Sequence, residues 1–359
     1  MTILGLHHIT IVAKNAQRTV DFYTRVLGFR LVKQTVNFDD PGSYHLYFGD
    51  ETGTPGTAIT FFEWPNAPQG APGIGGTHHL ALRTADGQTQ RMWKRRLTDL
   101  GIGVEGPLDR SYFTSIYFRD PDGMILEIAT EGPGWTVDEP AATLGSQLII
   151  PPADLTLGGR DAATVAADTW PEPVPAITPA MSLRRGMHHI TAIGSDVERT
   201  DAFFGGLLGM RRLKKTQNYD QPGSAHWYWG TEDGAPGTLI TYFHRNPARE
   251  PQVQMGAGQT HHFALRVADE ATQIEWRERL VRAMLRVSPV MDRVYFKSIY
   301  TSDPDGHIVE IATDTPGFLV DEDAATLGTQ LQLPPWLEQN RLVIGRMLTP
   351  LTLHEEVTA

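Results

Sequence analysis

The chain has 359 residues, and 42 Asp and Glu against 31 Lys and Arg give a formal charge of −11, which disfavours nucleic acid and anionic membrane as partners. It has no cysteine, so disulfides, iron–sulfur clusters, thiolate zinc sites and thiol nucleophiles are excluded, and any metal must be held by His, Asp, Glu or backbone oxygen. A composition of 40% apolar and 20% charged residues is that of a folded globular chain with room for about two domains, and no apolar run reaches the roughly 20 residues of a membrane span.

The opening Met1-Thr2-Ile3-Leu4-Gly5 lacks the basic start and small-residue cleavage site of a signal peptide, so a cytoplasmic location is expected. The first element is an alternating strand, Leu6-His7-His8-Ile9-Thr10. A helical stretch over Thr19–Leu27 follows, stopped by Gly28, and further strands joined by Gly, Pro and Asp turns complete a βαβββ module. A second module opens at Thr77-His78-His79-Leu80-Ala81. Its helix, around Met92–Leu100, stops at Gly101, and its last strand, Ile125-Leu126-Glu127-Ile128-Ala129, follows the turn Asp120-Pro121-Asp122-Gly123.

A segment rich in Pro and Ala, with Pro171, Pro173, Pro175 and Pro179, then reads as a linker over 151–185. Beyond it the pattern repeats. Pro41-Gly42-Ser43-Tyr44-His45-Leu46-Tyr47-Phe48-Gly49 returns as Pro222-Gly223-Ser224-Ala225-His226-Trp227-Tyr228-Trp229-Gly230, and the Asp-Pro-Asp-Gly turn returns at Asp303–Gly306. Ala141-Ala142-Thr143-Leu144-Gly145 returns at Ala324–Gly328. Two more modules open at Met187-His188-His189 and Thr260-His261-His262. The expected architecture is therefore α+β: four βαβββ modules in two homologous halves, 1–150 and 186–335, forming incomplete barrels of mixed sheet. The tail, 336–359, is expected to be a short surface helix.

Eight of the 13 histidines lie in the four His-His pairs, where random placement would give about half of one pair. Adjacent strand residues face opposite ways, so one His of each pair points into a cavity. His7, Ile9 and Ile11 share one face of the first strand and His8, Thr10 and Val12 the other. The bulkier apolar face packs under the helix, which makes the second His inward: His8, His79, His189 and His262. The first of each pair is placed to hydrogen-bond behind it. Glu127 and Glu310 each stand in an apolar strand, where a carboxylate needs a partner. Two inward His and one Glu form a facial triad, a set that suits non-haem Fe(II), with Mn(II) next. The inventory is enough for two. Tyr117 and Tyr300 lie ten residues before their Glu across a hairpin, each following an Asp-Arg pair at Arg110 and Arg293, and are expected to be cross-strand neighbours of it. Spacing alone leaves a catalytic role and an ordinary aromatic pair equally open.

Four such modules, with His on the first strand and Glu on the last, resemble the vicinal oxygen chelate superfamily of glyoxalases, extradiol ring-cleaving dioxygenases and bleomycin- or fosfomycin-resistance proteins. More narrowly, Leu6–Thr10, Val32-Lys33-Gln34-Thr35-Val36-Asn37-Phe38-Asp39-Asp40, Tyr44–Phe48, Gly53-Thr54-Pro55-Gly56-Thr57 and Val320-Asp321-Glu322-Asp323 resemble the hydroquinone-type ring-cleaving dioxygenases. That resemblance implies an extradiol-type enzyme using Fe(II), or alternatively Mn(II), to cleave a hydroquinone- or catechol-type diphenol with O2. It implies His8, His262 and Glu310 as the metal ligands, with Thr10, His261, Arg293 and Tyr300 as acid–base and supporting groups and His7 behind the first ligand. Homo-oligomerisation is left open.

Relatives commonly lose the ligands of the second and third modules, whereas His79, Glu127 and His189 are all present here, so a second metal-competent site is expected. Pairing within halves would instead give His8/His79/Glu127 and His189/His262/Glu310; the resemblance favours pairing across halves. A glyoxalase-like isomerase or lyase is the alternative, but it usually carries a second carboxylate on the last strand of the first module. Thr60 stands in that strand here, and Thr241 in the third module's. A non-catalytic antibiotic-binding module would not need the triads. Phe263 and Trp227 are expected near the pocket.

Overall fold

The computed structural model describes residues 1–353, so the last six residues of the expected tail, 354–359, lie outside the described residues. The first module comprises β1 (Leu6–Ala13), α1 (Ala16–Asp21), β2 (Arg30–Asn37), β3 (Asp40–Gly49) and β4 (Ala58–Glu63). Asn15 caps α1 by accepting from the Arg18 amide, and the helix continues as a π-helical turn, Phe22–Val26, to Gly28, whose φ of +79° ends it as expected. The second comprises β5 (Gly76–Thr84), α2 (Gly87–Asp99), β6 (Glu105–Asp109), β7 (Thr114–Arg119) and β8 (Ile125–Thr130). After β9 (Leu148–Ile149) and α3 (Ala162–Ala167), the third runs through β10 (Met187–Gly194), α4 (Val197–Asp201), β11 (Arg211–Gln217), β12 (Ala225–Gly230) and β13 (Leu239–His244). The fourth comprises β14 (Thr260–Val267), α5 (Glu270–Arg282), β15 (Met291–Asp292), β16 (Lys297–Ser302) and β17 (Ile308–Thr313). The α+β architecture of repeated modules is as the sequence implied.

The strands form two mixed sheets, in the orders β15-β16-β17-β14-β1-β4-β3-β2 and β6-β7-β8-β5-β10-β13-β12-β11-β9. Each sheet joins modules from opposite halves, the first with the fourth and the second with the third. The seams are antiparallel, β1 on β14 and β10 on β5, in matching register: Thr10 lies opposite His262, and Thr191 opposite His79. One face of each sheet packs under the helices, where Ile9, Ile11, Leu80, Leu82, Phe263 and Leu265 are buried in the main core.

Two devices hold the sheets in place. The Asp-Pro-Asp-Gly turns dock each sheet onto the other. Asp120 accepts from the amides of Asp122 and Met124 at 2.9 and 2.8 Å, a turn that needs Gly123 at φ +94°. From there Asp120 meets the Tyr23 hydroxyl at 3.3 Å, and Asp122 the guanidinium of Arg18. In the repeat, the Tyr242 hydroxyl donates to Asp303 at 2.6 Å and the Ser195 amide to Asp305 at 2.8 Å. The second device closes the curled sheets. Lys33 on β2 is fully buried and reaches the Asp321 carboxylate at 2.6 Å and that of Glu322, drawing the chain beyond β17 alongside β2; Lys214 does the same with Asp138 and Glu139.

The segment 151–185 is a fitted strap. Val174, Ile177, Met181 and Leu183 enter the core. Proline removes amide donors, and α2 supplies partners for the strap's carbonyls: Trp93 Nε1 donates to Met181 at 2.8 Å, Arg96 to Pro175 at 2.7 Å and Lys94 to Val165 at 2.8 Å. The tail contains the short helix α6 (Arg341–Met347), which buries Ile344 while Leu342 and Val343 stay exposed.

Candidate metal centres

Register builds the first site. His8, Ala264, Glu310 and Tyr300 form one row across β1, β14, β17 and β16, and His262, Thr10, Thr60 and Tyr47 form the next. Residues directly opposite share a face, so both rows line the same concave surface. The curl of the sheet then brings His8 and Glu310 together over the small side chain of Ala264. His8 Nε2 lies 3.3 Å from His262 Nε2 and 3.4 Å from Glu310 Oε2, and His262 Nε2 lies 2.9 Å from Glu310 Oε2. The second site repeats this with His189, Ala81, Glu127 and Tyr117 in one row. There His79 Nε2 is 3.2 Å from His189 Nε2 and 2.8 Å from Glu127 Oε2, and His189 Nε2 is 3.4 Å from that oxygen. The seam across halves thus assembles His8/His262/Glu310 and His79/Glu127/His189, and the within-half pairings do not occur.

Both trios fit one cation. Ligand atoms about 2.1 Å from an ion and at right angles around it stand ~3.0 Å apart, the scale of these separations. All six residues are buried, and among the described residues only the imidazoles of its own trio approach Glu310 Oε2 or Glu127 Oε2. An ionised oxygen left so would be costly without a cation. The other oxygen of each Glu is held, Oε1 of Glu310 by Ser298 and Oε1 of Glu127 by Ser115, both at 2.5 Å. Burial works against ionising Glu310, but His8 and His262 hold its carboxyl well below the usual range, and His189 and His79 do so for Glu127.

The neighbouring His fixes the ligating nitrogen. His7 Nδ1 is 2.9 Å from His8 Nδ1, and His7 Nε2 is 3.1 Å from the Thr313 carbonyl. A carbonyl only accepts, so His7 Nε2 carries the proton, His7 Nδ1 accepts from His8, and His8 Nε2 is left as a lone pair for a metal. Burial and His8 push the His7 pKa down to about 3, keeping it neutral. His261 meets His262 through Nδ1 at 2.8 Å, and its pKa falls to about 4, chiefly by burial. His78 and His188 adjoin His79 and His189 in the same way.

Around the first trio, Thr10 Oγ1 lies 3.0 Å from His262 Nε2, and Arg293 Nε donates to the Tyr300 hydroxyl at 3.3 Å. Burial and Glu310 raise the Tyr300 phenol, against Arg293. A cavity of about 330 Å³ opens on His8 and His262, with His261, Arg293, Tyr300, Phe62 and Phe296 in its walls. His8, His262 and Glu310, with Thr10, His261, Arg293, Tyr300 and His7, therefore gather at this site. Phe263 and Trp227 do not: both are buried in the core. If His262 and His226 face the concave side, the residues that follow them face the helices.

The sequence reading missed Ser298 and Ser115. It also missed a relay in which Tyr47 meets His45 at 3.0 Å, His45 meets Thr60 at 3.0 Å and Thr60 meets Thr10 at 2.7 Å. The second site holds the equivalent His226, Tyr228, Thr241 and Thr191. The signal was present in Ser43-Tyr44-His45-Leu46-Tyr47 and its repeat at Ser224–Tyr228, which keep Ser, His and Tyr at alternate positions.

The family model of the Glyoxalase/Bleomycin resistance protein/Dioxygenase superfamily matches residues 5–128 and 186–311. The chain belongs to that superfamily. Within it, the chain is 34% identical over 355 residues to a Bacillus subtilis protein named as the ring-cleaving dioxygenase MhqO, covering 98% of each. It is 29% identical over 339 residues to the chlorohydroquinone/hydroquinone 1,2-dioxygenase of Sphingobium indicum, covering 93% of this chain and 92% of that one. A solved Bacillus subtilis structure named as a dioxygenase matches with a TM-score of 0.78 at 32% identity, covering 99% of both chains. Glyoxalase I from Zea mays shares the fold, with a TM-score of 0.56 at 16% identity over 87% of this chain and 92% of that one.

Proposed function

We propose that the protein is an Fe(II)-dependent, extradiol-type ring-cleaving dioxygenase acting on a hydroquinone- or catechol-type diphenol. The observation that carries this is the His8/His262/Glu310 trio on the wall of a cavity sized for one aromatic ring. Relatives named as dioxygenases over nearly the whole chain support it. Thr60, in the strand where an isomerase would carry a further carboxylate, favours it over the isomerase reading. His79, Glu127 and His189 form a second metal site on the same reading.

Held by His8, His262 and Glu310, Fe(II) would supply the electron-transfer chemistry that lets a diphenolate react with O2; Mn(II) is the alternative ion. One ring carbon–carbon bond breaks, both atoms of O2 enter the product, and the four electrons come from the substrate. Phe62 and Phe296 exclude water and hold the ring. His261, accepting from His262 through Nδ1, offers Nε2–H to a substrate oxygen. Arg293 donates to Tyr300 Oη, which leaves the phenol proton free to pass to the opening ring and steadies the charge left behind. Thr10 sets the edge of the His262 ring, and His7 holds His8 in its ligating form.

Oxygen uptake with hydroquinone and catechol, in metal-stripped protein and after anaerobic Fe(II) loading, tests the reading. Uptake is expected only after loading, falling more than about 100-fold for hydroquinone in Glu310→Ala. Full rate without metal, or turnover without oxygen uptake, would sink it.

A further inference from the structure

We propose that the second centre takes a different substrate class from the first: a diphenol carrying an anionic substituent such as a carboxylate, held by Arg119 and Arg245 at the mouth of its cleft. The inference rests on the dioxygenase reading for its ring chemistry and on the walls of the two cavities for its selectivity.

A chamber of about 20 Å³, room for a single ion, lies between His79, Glu127 and His189. It shares His79, Arg110, Tyr117, Asn218, Asp220 and Phe243 with a wider cleft of about 770 Å³, against about 330 Å³ at the first centre. Duplication explains what the cavities share: Arg110 and Tyr117 stand where the first has Arg293 and Tyr300, and Phe243 stands where it has Phe62. It does not explain the mouth. Arg245 occupies the place of Trp64, which stacks on Phe62 at 5.7 Å and meets His261 edge-on at 5.8 Å, two residues that line the first cavity. Arg119 occupies the place of Ser302, and Glu105 that of Ser288.

Three guanidiniums and two carboxylates line the second cleft, against one of each in the first. One of the two carboxylates, Asp220, is already bridged by Arg110 at 2.8 Å and by Arg160. Arg245 donates to Ser224 Oγ at 3.0 Å and Arg119 to the Gly123 carbonyl at 2.7 Å, and among the described residues neither forms an ion pair. Both line the same cleft as His79, the ligand that this cleft shares with the ion chamber. On a chain of net charge −11, a cleft with surplus guanidinium is a local reversal of sign, and guanidinium matches carboxylate geometry.

The test uses the full chain. Metal analysis should give two Fe per wild-type chain and one in either Glu310→Ala or Glu127→Ala. With Glu310→Ala, anaerobic calorimetry should show 2,5-dihydroxybenzoate binding about tenfold more tightly than hydroquinone, a preference that shrinks as salt is raised. Replacing the two mouth residues by those at the equivalent positions of the repeat, Arg119→Ser with Arg245→Trp, should erase the preference and leave the metal count unchanged. One Fe per wild-type chain regardless of Glu127, equal affinity for the two probes, or a preference that survives the double replacement would overturn the proposal. Because these readouts are metal content and binding, they stand apart from oxygen uptake. Failure of both centres to consume oxygen with either probe would refute the dioxygenase reading and leave the binding preference to be judged on its own.

Discussion

Ala264 decides whether His8 and Glu310 can share an ion, because it sits between them in the row and its side chain is fully buried. Two added methyl groups would occupy the space under the ion. Ala264→Val is expected to lose metal from the first centre while the second stays loaded, at a cost in stability of about 1–3 kcal/mol from overpacking; metal content and urea unfolding check the two effects. His7→Leu removes the acceptor for His8 Nδ1–H and should weaken metal binding there about 10–100-fold, read by competition with a chelator. Strand parity made the inward histidines legible from the sequence, because alternation is a property of the chain itself. The same parity, applied to Phe263 and Trp227, would have sent them to the core. The His45 and Tyr47 end of the relay left a signal in its repeat, but Ser298 and the Thr60–Thr10 end were not legible, because Ser and Thr are ordinary strand residues. What gives them a role is register with strands far away in sequence, Thr60 beside Thr10 and Tyr47 beside Thr60.

Among the elements, β2 is secured by a charge that water does not reach. Lys33→Ala would leave Asp321 and Glu322 without their cation, and a broken buried pair costs about 3–5 kcal/mol. Equilibrium unfolding should show that loss, with Lys33→Met no better because the carboxylates stay unpaired. The docking turns carry a pH dependence of their own. Burial raises the Asp120 and Asp303 carboxyls from 3.8 to about 6. Between those values the folded protein holds protons that the unfolded chain has released, so their contribution to stability falls as pH rises from about 4 to about 6, by about 3 kcal/mol per group. Unfolding free energies across that window should decline less steeply in Asp303→Asn than in the wild type. Glu310 and Glu127 act in the opposite sense, their contribution being lost as pH falls below about 4.5.

At the scale of the molecule, the seam follows pairing between homologous strands. β14 is the repeat of β5 and β10 the repeat of β1, so a chain cut to residues 1–150 would hold both partners of a seam but in one half only. It is expected to form a two-copy particle in which β1 of each copy meets β5 of the other, detectable as a doubled mass in sedimentation. A stable monomer would show that the seam depends on the strap. The repeat told that four modules exist; it left their pairing to be settled by the resemblance, because equivalent strands have equivalent edges. Joining two such copies in one chain has a genetic consequence. In a particle made of identical copies, any substitution appears at both centres at once, so neither can drift without the other. Once the copies are fused, each centre inherits its own mutations, and a Trp64 packed on His261 in one half where Arg245 lines the cleft of the other is the mark of two sites free to evolve apart.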